Sequence, residues 1–169
     1  MDAAELRAMQ APIKDRYKSD PAAAVITLKA RGAIASEGLT CKVETGRALA
    51  VAGLHPATGG SGLELCSGDM LLEALVACAG VTLKSVATAI DVPLRQGIVI
   101  AEGDLDFRGT LGVDKEAPVG FAEIRLRFEV ETDAPQDKLD LLLKLTERYC
   151  VVYQTIRNGP KVSVSMKRV

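Results

Sequence analysis

Four cysteines and one histidine are the side chains of this 169-residue sequence best suited to nucleophilic or redox chemistry: Cys41, Cys66, Cys78, Cys150 and His55. No two cysteines form a Cys-x-x-Cys pair, and a single histidine adds too little for a zinc site. We therefore expect neither a metal nor a bound cofactor. Structural disulfides are rare in a reducing compartment, so the cysteines are interpreted as reactive thiols or as packing residues.

Cys78 lies in the middle of an apolar helical pattern, LLEALVACAGVTLKS. Cysteine is among the most buried residue types, so packing in the core is one interpretation of this position. Thr82 and Ser85 follow at four and seven residues and share the helical face of Cys78. A polar edge on an apolar helix needs partners or a cavity, which favours chemistry at the thiol.

Cys150 follows the second helical pattern, in the segment ERYCVVYQTI. Arg148 lies close by in sequence and could help to hold a thiolate, which is the reactive form of cysteine. A buried cysteine at a helix end is the alternative interpretation. Spacing alone does not decide whether Cys150 meets Cys78.

The elements that must position these thiols begin with β structure over residues 23–53, where three short strands are separated by turns. The loop 54–67 follows; its ATGGSG run lacks the Lys-Ser/Thr ending of a P-loop, so no phosphate site is expected. The longest helical pattern covers residues 69–91 and ends before Pro93. Because this pattern is apolar almost all round, it predicts a helix buried on most sides.

Two alternating strands come next. A second helix is predicted to begin after Thr132-Asp133 and to run to about Tyr149, and KVSVSMKRV at residues 161–169 is predicted as a final strand. A short N-terminal helix from Ala3 to Met9 is expected to stop before Pro12. The predicted order is β-β-β-α-β-β-α-β. It indicates an α+β fold in which a long central helix packs against a curved antiparallel sheet.

Composition and hydropathy limit the partners and the location that we expect for this protein. Charged residues make up 25% of the chain and the formal net charge is −1, which argues against a nucleic-acid partner. Three charged residues interrupt the most apolar stretch, which falls short of the ~18 apolar residues of a membrane span. The first twenty residues contain no apolar signal region, so we expect a cytoplasmic protein. Residues 1–20 are interpreted as an N-terminal arm and residues 21–169 as one domain.

Two segments resemble a known family. MLLEALVACAGVTLKSVA resembles the helix that carries the reactive cysteine in the OsmC/Ohr family of thiol-dependent hydroperoxide reductases, and RYCVVYQTI resembles the second-cysteine motif of that family. The order of elements and the spacing between the two cysteines also agree. The resemblance covers roughly residues 24–169 and implies an OsmC-like fold.

This resemblance implies a peroxidase that reduces organic hydroperoxides. The Cys78 thiolate would attack the O–O bond and become a sulfenic acid, Cys150 would condense with it to a disulfide, and an external dithiol reductant would restore both thiols. The resemblance also implies an intertwined homodimer with two sites at the subunit interface. Arg31, in KARGAIASEG, is the candidate for the family arginine.

The sequence departs from the family at Gly68, where strongly active members have a glutamate ten residues before the reactive cysteine. Glu73 lies five residues before Cys78, about 140° away around a helix. This departure favours an alternative, a redox sensor or small-ligand-binding domain with the same fold; a structural domain with inert cysteines is a third hypothesis. Cys41 is predicted to be a packing residue. Cys66 is the one rival resolving thiol.

Overall fold

The computed structural model of the protein describes residues 3–34, 41–43, 52–63 and 65–168, with side chains described outside the ranges 3–7, 28–34 and 41–43. Helices and strands are mixed along the chain, in the order α1 (Ala3–Ser19), β1 (Val25–Ile34), β2 (Cys41–Val43), β3 (Ala52–Gly53), β4 (Leu65–Cys66), α2 (Ser67–Ala89), β5 (Gln96–Asp106), α3 (Phe107–Thr110), β6 (Phe121–Glu131), α4 (Gln136–Tyr149) and α5 (Val151–Asn158).

Four strands form an antiparallel sheet in the order β2-β1-β5-β6. The central strand β5 pairs with β1 over ten residues, from Val25 opposite Asp106 to Ile34 opposite Gly97. β6 is an edge strand of this sheet within the described part of the chain. The two-residue strands β3 and β4 pair with each other in parallel, apart from the main sheet. An antiparallel sheet with a long helix agrees with the predicted α+β class.

Gly103 in β5 leaves room for an aromatic ring of the neighbouring strand. A Cβ atom at Gly103 would lie 2.5 Å from Cε1 of Phe121, closer than two carbon atoms approach in proteins. The strand register shifts between Asp104 and Leu105, immediately after this glycine. Glycine is therefore needed because the Phe121 ring covers the backbone at this position.

α2 packs across the sheet and forms the centre of the core. Its inward side chains meet Val99 and Ala101 of β5, both fully buried. Burying each large aliphatic side chain contributes roughly 1.5–3 kcal/mol, which outweighs the weak helix preference of its β-branched residues. Eight residues of α2 are buried, namely Leu72, Leu75, Val76, Ala79, Gly80, Leu83, Val86 and Ala87.

The bounds of α2 lie two residues before the predicted 69–91 at both ends. Asp91 adopts a left-handed conformation with φ 54°, and the amide of Val92 bonds to the carbonyl of Ala87 at 2.8 Å, so the helix ends before Pro93. By length and composition alone, α2 could cross a membrane. Its buried residues instead pack against the protein's own sheet.

α1 is longer than predicted. It continues past Pro12 to Ser19, so the prediction that this proline stops the helix was wrong. The extension is anchored by Tyr17, which is fully buried and donates its hydroxyl to the carbonyl of Ala57 at 2.7 Å. The side chain of Gln10 also donates to the carbonyl of Thr58. Tertiary packing of the last turns therefore outweighs the hydrogen bond that proline removes.

The predicted final strand is absent from the described residues after α5. Gly159 ends that helix with φ 50°, and residues 161–168 have no regular secondary structure. Val162, Val164 and Met166 are 81%, 93% and 99% exposed. The prediction was wrong for this chain because an alternating pattern becomes a strand only where another strand pairs with it.

One charged cluster ties three strands together on the sheet. Arg125 of β6 donates to Asp104 of β5 at 2.6 and 3.0 Å, and the hydroxyl of Thr27 in β1 donates to the same carboxylate at 2.6 Å. These hydrogen bonds, that of Arg125 first, lower the pKa of Asp104 to about 2.

Candidate functional site

The structure brings Cys78 and Cys150 together. Cys78 lies in the middle of α2 and is half-buried, whereas Cys150 lies between α4 and α5 and is 1% exposed. The two side chains are hydrogen-bonded to each other, and both thiols are free. Spacing in the sequence could not decide whether they meet. The contact follows from the packing of α4 and α5 against α2.

Cys150 is the junction between two helices. Its amide bonds to the carbonyl of Thr146 and closes α4, while its own carbonyl accepts the amide of Gln154 and opens α5. Its Sγ accepts a hydrogen bond from the amide of Tyr153 at 3.5 Å, which is the position of a helix N-cap acceptor. The extended backbone at Cys150 (φ −72°, ψ 107°) turns the chain between the helices.

The first turn of α5 points its amide groups at Cys78. The backbone amides of Val151 and Val152 both donate to the Cys78 sulfur, and so does the hydroxyl of Thr82. Unpaired amides at a helix N-terminus stabilise negative charge. A thiolate at Cys78 would therefore be held by dipoles of the backbone and by one hydroxyl.

These donors decide the acidity of Cys78. Burial is the largest single influence and raises the pKa of the thiol, but the hydrogen bonds act together against it. They come from the Val152 amide, the Cys150 thiol, the Val151 amide and the Thr82 hydroxyl, in decreasing order of effect. The pKa of Cys78 is lowered from its ordinary value as a result, so its reactive form is favoured.

Cys150 has the opposite character. Burial, together with the hydrogen bond that it gives to Cys78 and the charge of Cys78, raises the pKa of Cys150 to about 11. The pair is thus divided into a thiol that ionises readily and a neighbour that keeps its proton. Two coupled groups with pKa values driven apart can take different roles in one reaction.

Sequence reasoning predicted some of these groups and missed others. Thr82 was expected on the face of Cys78, and the hydrogen bond between them confirms this placement. The guanidinium of Arg148 lies over the ring of Tyr149, 5.6 Å from its centre, and is not among the groups that lower the pKa of Cys78. Arg31 lies in β1 opposite Ile100, but its side chain lies outside the described residues.

α5 is the element of the site that sequence reasoning missed. Val151, Val152, Thr155 and Ile156 are β-branched, a composition typical of strands and not of helices. The signal that could have found α5 is the run Asn158-Gly159-Pro160, because glycine followed by proline is typical of a helix end. Without α5, the amide donors to Cys78 could not be predicted.

The other two cysteines stand apart from this pair. Cys66 is half-buried immediately before α2, and twelve residues of helix separate it from Cys78 by about 18 Å. A disulfide needs Cα atoms within about 7 Å, so Cys66 does not serve as the resolving thiol in this arrangement. Cys41 lies in β2 opposite Ile34, and its side chain lies outside the described residues.

A small acidic cluster lies near the start of α2. Burial raises the pKa of Asp69, an effect opposed by the charge of His55, and burial and then the charge of Asp69 raise the pKa of Glu73. Asp69 is nine residues before Cys78, or about 13 Å along the helix. No three His, Cys, Asp or Glu side chains of the described residues form a metal site.

An apolar groove of about 520 Å³ opens between β6 and the helices α4 and α5, and neither Cys78 nor Cys150 lines it. Leu75, three residues before Cys78, forms part of its floor, and Tyr153, the amide donor to Cys150, forms part of its wall. Arg157 and Glu147 supply polar groups. The remaining lining is mostly apolar and includes Phe121, Ile124, Leu126, Phe128, Leu143 and Ile156.

Comparisons with known proteins agree with this architecture. A model of the family described as OsmC-like protein matches residues 59–165, more than half of the chain, and this segment contains both Cys78 and Cys150. The fold is similar to the crystal structure of an OsmC-like hydroperoxide resistance protein from Jannaschia sp. CCS1, with a TM-score of 0.63 and 12% sequence identity over 86% of this chain and 95% of that chain. No curated protein sequence matches. This chain belongs to the OsmC-like protein family.

Proposed function

We propose that this protein is a thiol-dependent peroxidase that reduces organic hydroperoxides. The observation that carries the proposal is the hydrogen-bonded pair of Cys78 and Cys150, in which the more exposed partner has the lowered pKa and the buried partner the raised pKa. Membership of the OsmC-like family supports a peroxide-related function, and the similar Jannaschia protein is described as a hydroperoxide resistance protein.

The first step is oxidation of Cys78. Its thiolate attacks the distal oxygen of the hydroperoxide, the O–O bond breaks, and the alkoxide leaves and takes up a proton to become the alcohol. Cys78 gains the hydroxyl and becomes a sulfenic acid. The amides of Val151 and Val152 and the hydroxyl of Thr82 favour this step because they keep the sulfur ionised before attack.

The second step joins the two sulfurs. Part of the high pKa of Cys150 comes from its hydrogen bond to Cys78 and from the charge there, and both influences end when Cys78 becomes a neutral sulfenic acid. Cys150 then ionises more readily and displaces water from the Cys78 sulfur, which forms the disulfide. An external dithiol reduces this disulfide and is itself oxidised, so no bound cofactor is needed.

The apolar groove supports an organic substrate over hydrogen peroxide. Its lining by Leu75 and by the apolar side chains of β6 favours a peroxide with a hydrocarbon part, which hydrogen peroxide lacks. Arg31 remains our candidate for a cation that assists at the thiolate. The reduced thiols and the dithiol reductant also fit a reducing compartment, and we propose the cytoplasm.

We further propose a homodimer. β6 offers a free strand edge in the described part of the chain, and the segment 161–168 carries a strand-like alternation whose apolar side chains are exposed. Pairing of this segment with a second copy would satisfy both features. An obligate interface of this kind buries over ~2,000 Å².

One observation favours a second candidate function, a redox sensor. Gly68 stands where strongly active relatives are expected to carry a glutamate. A sensor forms the same disulfide and does not turn over repeatedly with a dithiol. Steady-state turnover with cumene hydroperoxide and dithiothreitol therefore separates the two functions.

The proposed function is tested with single cysteine variants. Cys78→Ser should abolish consumption of cumene hydroperoxide. Cys150→Ser should permit one oxidation and then stop, leaving a sulfenic acid that dimedone traps. Cys66→Ser is the matched control and should keep full turnover, because Cys66 lies far from the pair. Consumption that survives Cys78→Ser, or that stops with Cys66→Ser, would contradict the assignment.

A further inference from the structure

We infer that an external thiol reductant attacks the disulfide at the Cys78 sulfur, so that Cys78 carries the mixed disulfide with the reductant and Cys150 is released first. The reductant and its oxidised substrate, the Cys78–Cys150 disulfide, rest on the proposed function. A disulfide offers two sulfur atoms to a nucleophile, and the different surroundings of these two atoms select one of them.

The two sulfurs differ in access. A thiolate reduces a disulfide by direct attack on one of its sulfurs, so it must contact that atom. Cys78 is half-buried on α2, whereas Cys150 is 1% exposed between α4 and α5. Because the two side chains are already hydrogen-bonded to each other, the sulfurs can join without bringing Cys150 to the surface. Of the pair, Cys78 is the one that a nucleophile can reach.

Cys150 is covered by the hydrophobic core of its own chain. It belongs to the cluster of buried core residues, as does Leu142 of α4. Thr146, whose carbonyl accepts the amide of Cys150, is also 1% exposed. A buried atom of this kind becomes reachable only through local opening of the structure. In the proposed homodimer a second copy can add cover to Cys150 but removes none.

The acidity of the two thiols acts in the opposite direction. The thiol with the lower pKa leaves a disulfide faster. Burial raises the pKa of Cys150 to about 11; burial also raises the pKa of Cys78, but the hydrogen bonds to that sulfur together lower it. Leaving-group chemistry alone therefore favours attack at Cys150 with Cys78 leaving. Access outweighs this preference, because a sulfur that no nucleophile contacts does not react.

One backbone group is placed to help Cys150 leave. The Sγ atom of Cys150 accepts a hydrogen bond from the amide of Tyr153 at 3.5 Å in the reduced protein. This amide lies in the first turn of α5, and a helix N-terminus stabilises negative charge. The departing thiolate therefore has a donor in place until it takes up a proton.

Reduction then takes two steps. One thiolate of a dithiol attacks the Cys78 sulfur, the bond between the two cysteines breaks, and Cys150 leaves as a thiolate and is protonated. The second thiolate of the dithiol attacks the reductant sulfur of the mixed disulfide, and Cys78 leaves as a thiolate. The dithiol supplies both electrons and becomes a disulfide. A monothiol lacks the second step, so Cys150, held beside Cys78, can displace it again.

The experiment locates the first adduct of a monothiol. A Cys41→Ser/Cys66→Ser background, shown to be folded by circular dichroism, keeps only the pair. Diamide oxidises this pair without peroxide, because its N=N bond takes up two electrons and two protons. The oxidised protein is mixed briefly with excess 2-mercaptoethanol and quenched with acid and N-ethylmaleimide. Peptide masses then show which cysteine carries mercaptoethanol and which carries maleimide.

Mercaptoethanol should be found on Cys78 and maleimide on Cys150, with the Cys78 adduct in at least about tenfold excess, because attack on Cys150 first requires local opening. The matched control is the same oxidised protein in concentrated urea, where both sulfurs are exposed. There the ratio of the two adducts should fall to near one.

An adduct mainly on Cys150 overturns the inference and shows that leaving-group chemistry decides. Equal ratios in the folded and unfolded protein also overturn it, as do a pair that forms no disulfide and a folded disulfide that gives no adduct while the urea control does. If the adduct is on Cys78 and the protein consumes no cumene hydroperoxide, the site of attack stands and the peroxidase fails. If hydroperoxide is consumed and the adduct is on Cys150, the peroxidase stands and the site of attack is wrong.

Discussion

Removal of the Thr82 hydroxyl should make Cys78 less acidic. Thr82→Val keeps the size and shape of the side chain but removes its hydrogen bond to the Cys78 sulfur. A hydrogen bond to a charged group contributes ~1.5–3 kcal/mol, and ~1.36 kcal/mol corresponds to one pKa unit. Thr82 has the smallest effect of the four donors, so the lower limit applies: loss of its hydroxyl should raise the pKa of Cys78 and disfavour the thiolate about tenfold.

Because Thr82→Val should raise the pKa of Cys78, its effect on reactivity should depend on pH. A lowered pKa gives more thiolate below the ordinary pKa of cysteine, so the Thr82→Val variant should react about tenfold more slowly than the parent near neutral pH. The two proteins should react equally fast at a pH where Cys78 is fully ionised in both. The rate of alkylation by iodoacetamide is measured against pH in the Cys41→Ser/Cys66→Ser background. Cys150 interferes little because burial and its contact with Cys78 raise its pKa to about 11.

Thr82→Ser is the matched control, because serine keeps the hydroxyl and loses only a methyl group. It should retain the parent alkylation profile, and thermal unfolding should show that both variants remain folded. If the profile of Thr82→Val coincides with that of the parent, the hydroxyl does not stabilise the thiolate. If serine and valine shift the profile equally, the cause is packing and the hydrogen-bond argument fails.

Three further predictions concern the fold and the assembly. Gly103→Ala should lower the free energy of unfolding by about 1–3 kcal/mol, because the added Cβ would strike the ring of Phe121. Gly120→Ala, where a Cβ meets open space, should change the free energy of unfolding little. Equal urea midpoints for the two variants would refute this prediction. Asp104→Asn should lower the free energy of unfolding at neutral pH. The parent loses this stability as the pH falls from about 4 towards 2, because its arginine partner lowers the pKa of the Asp104 carboxyl to about 2. Parallel acid-denaturation curves for the parent and the variant would contradict this prediction. Deletion of residues 161–169 should convert a dimer to a monomer in sedimentation, and an unchanged dimer would locate the interface elsewhere.

Local patterns predicted the parts of the fold whose residues are buried in this chain. The apolar pattern of α2 predicted a buried helix because burial of that kind leaves a strong periodic signal, and it placed Thr82 beside Cys78. α5 escaped prediction because its β-branched residues favour strands, and packing against α2 and the capping by Cys150 override that preference. The contact between the two thiols depends on tertiary packing, which spacing does not encode.

The charges around the exposed segment 161–168 have a consequence for solubility. Val162, Val164 and Met166 alternate with serines, a composition prone to stack into cross-β fibrils when no partner strand is present. Lys161 stands before this run, and Lys167 and Arg168 follow it. Like charges at both ends of an apolar run repel neighbouring copies in a stack, so these residues act as gatekeepers that oppose fibril growth.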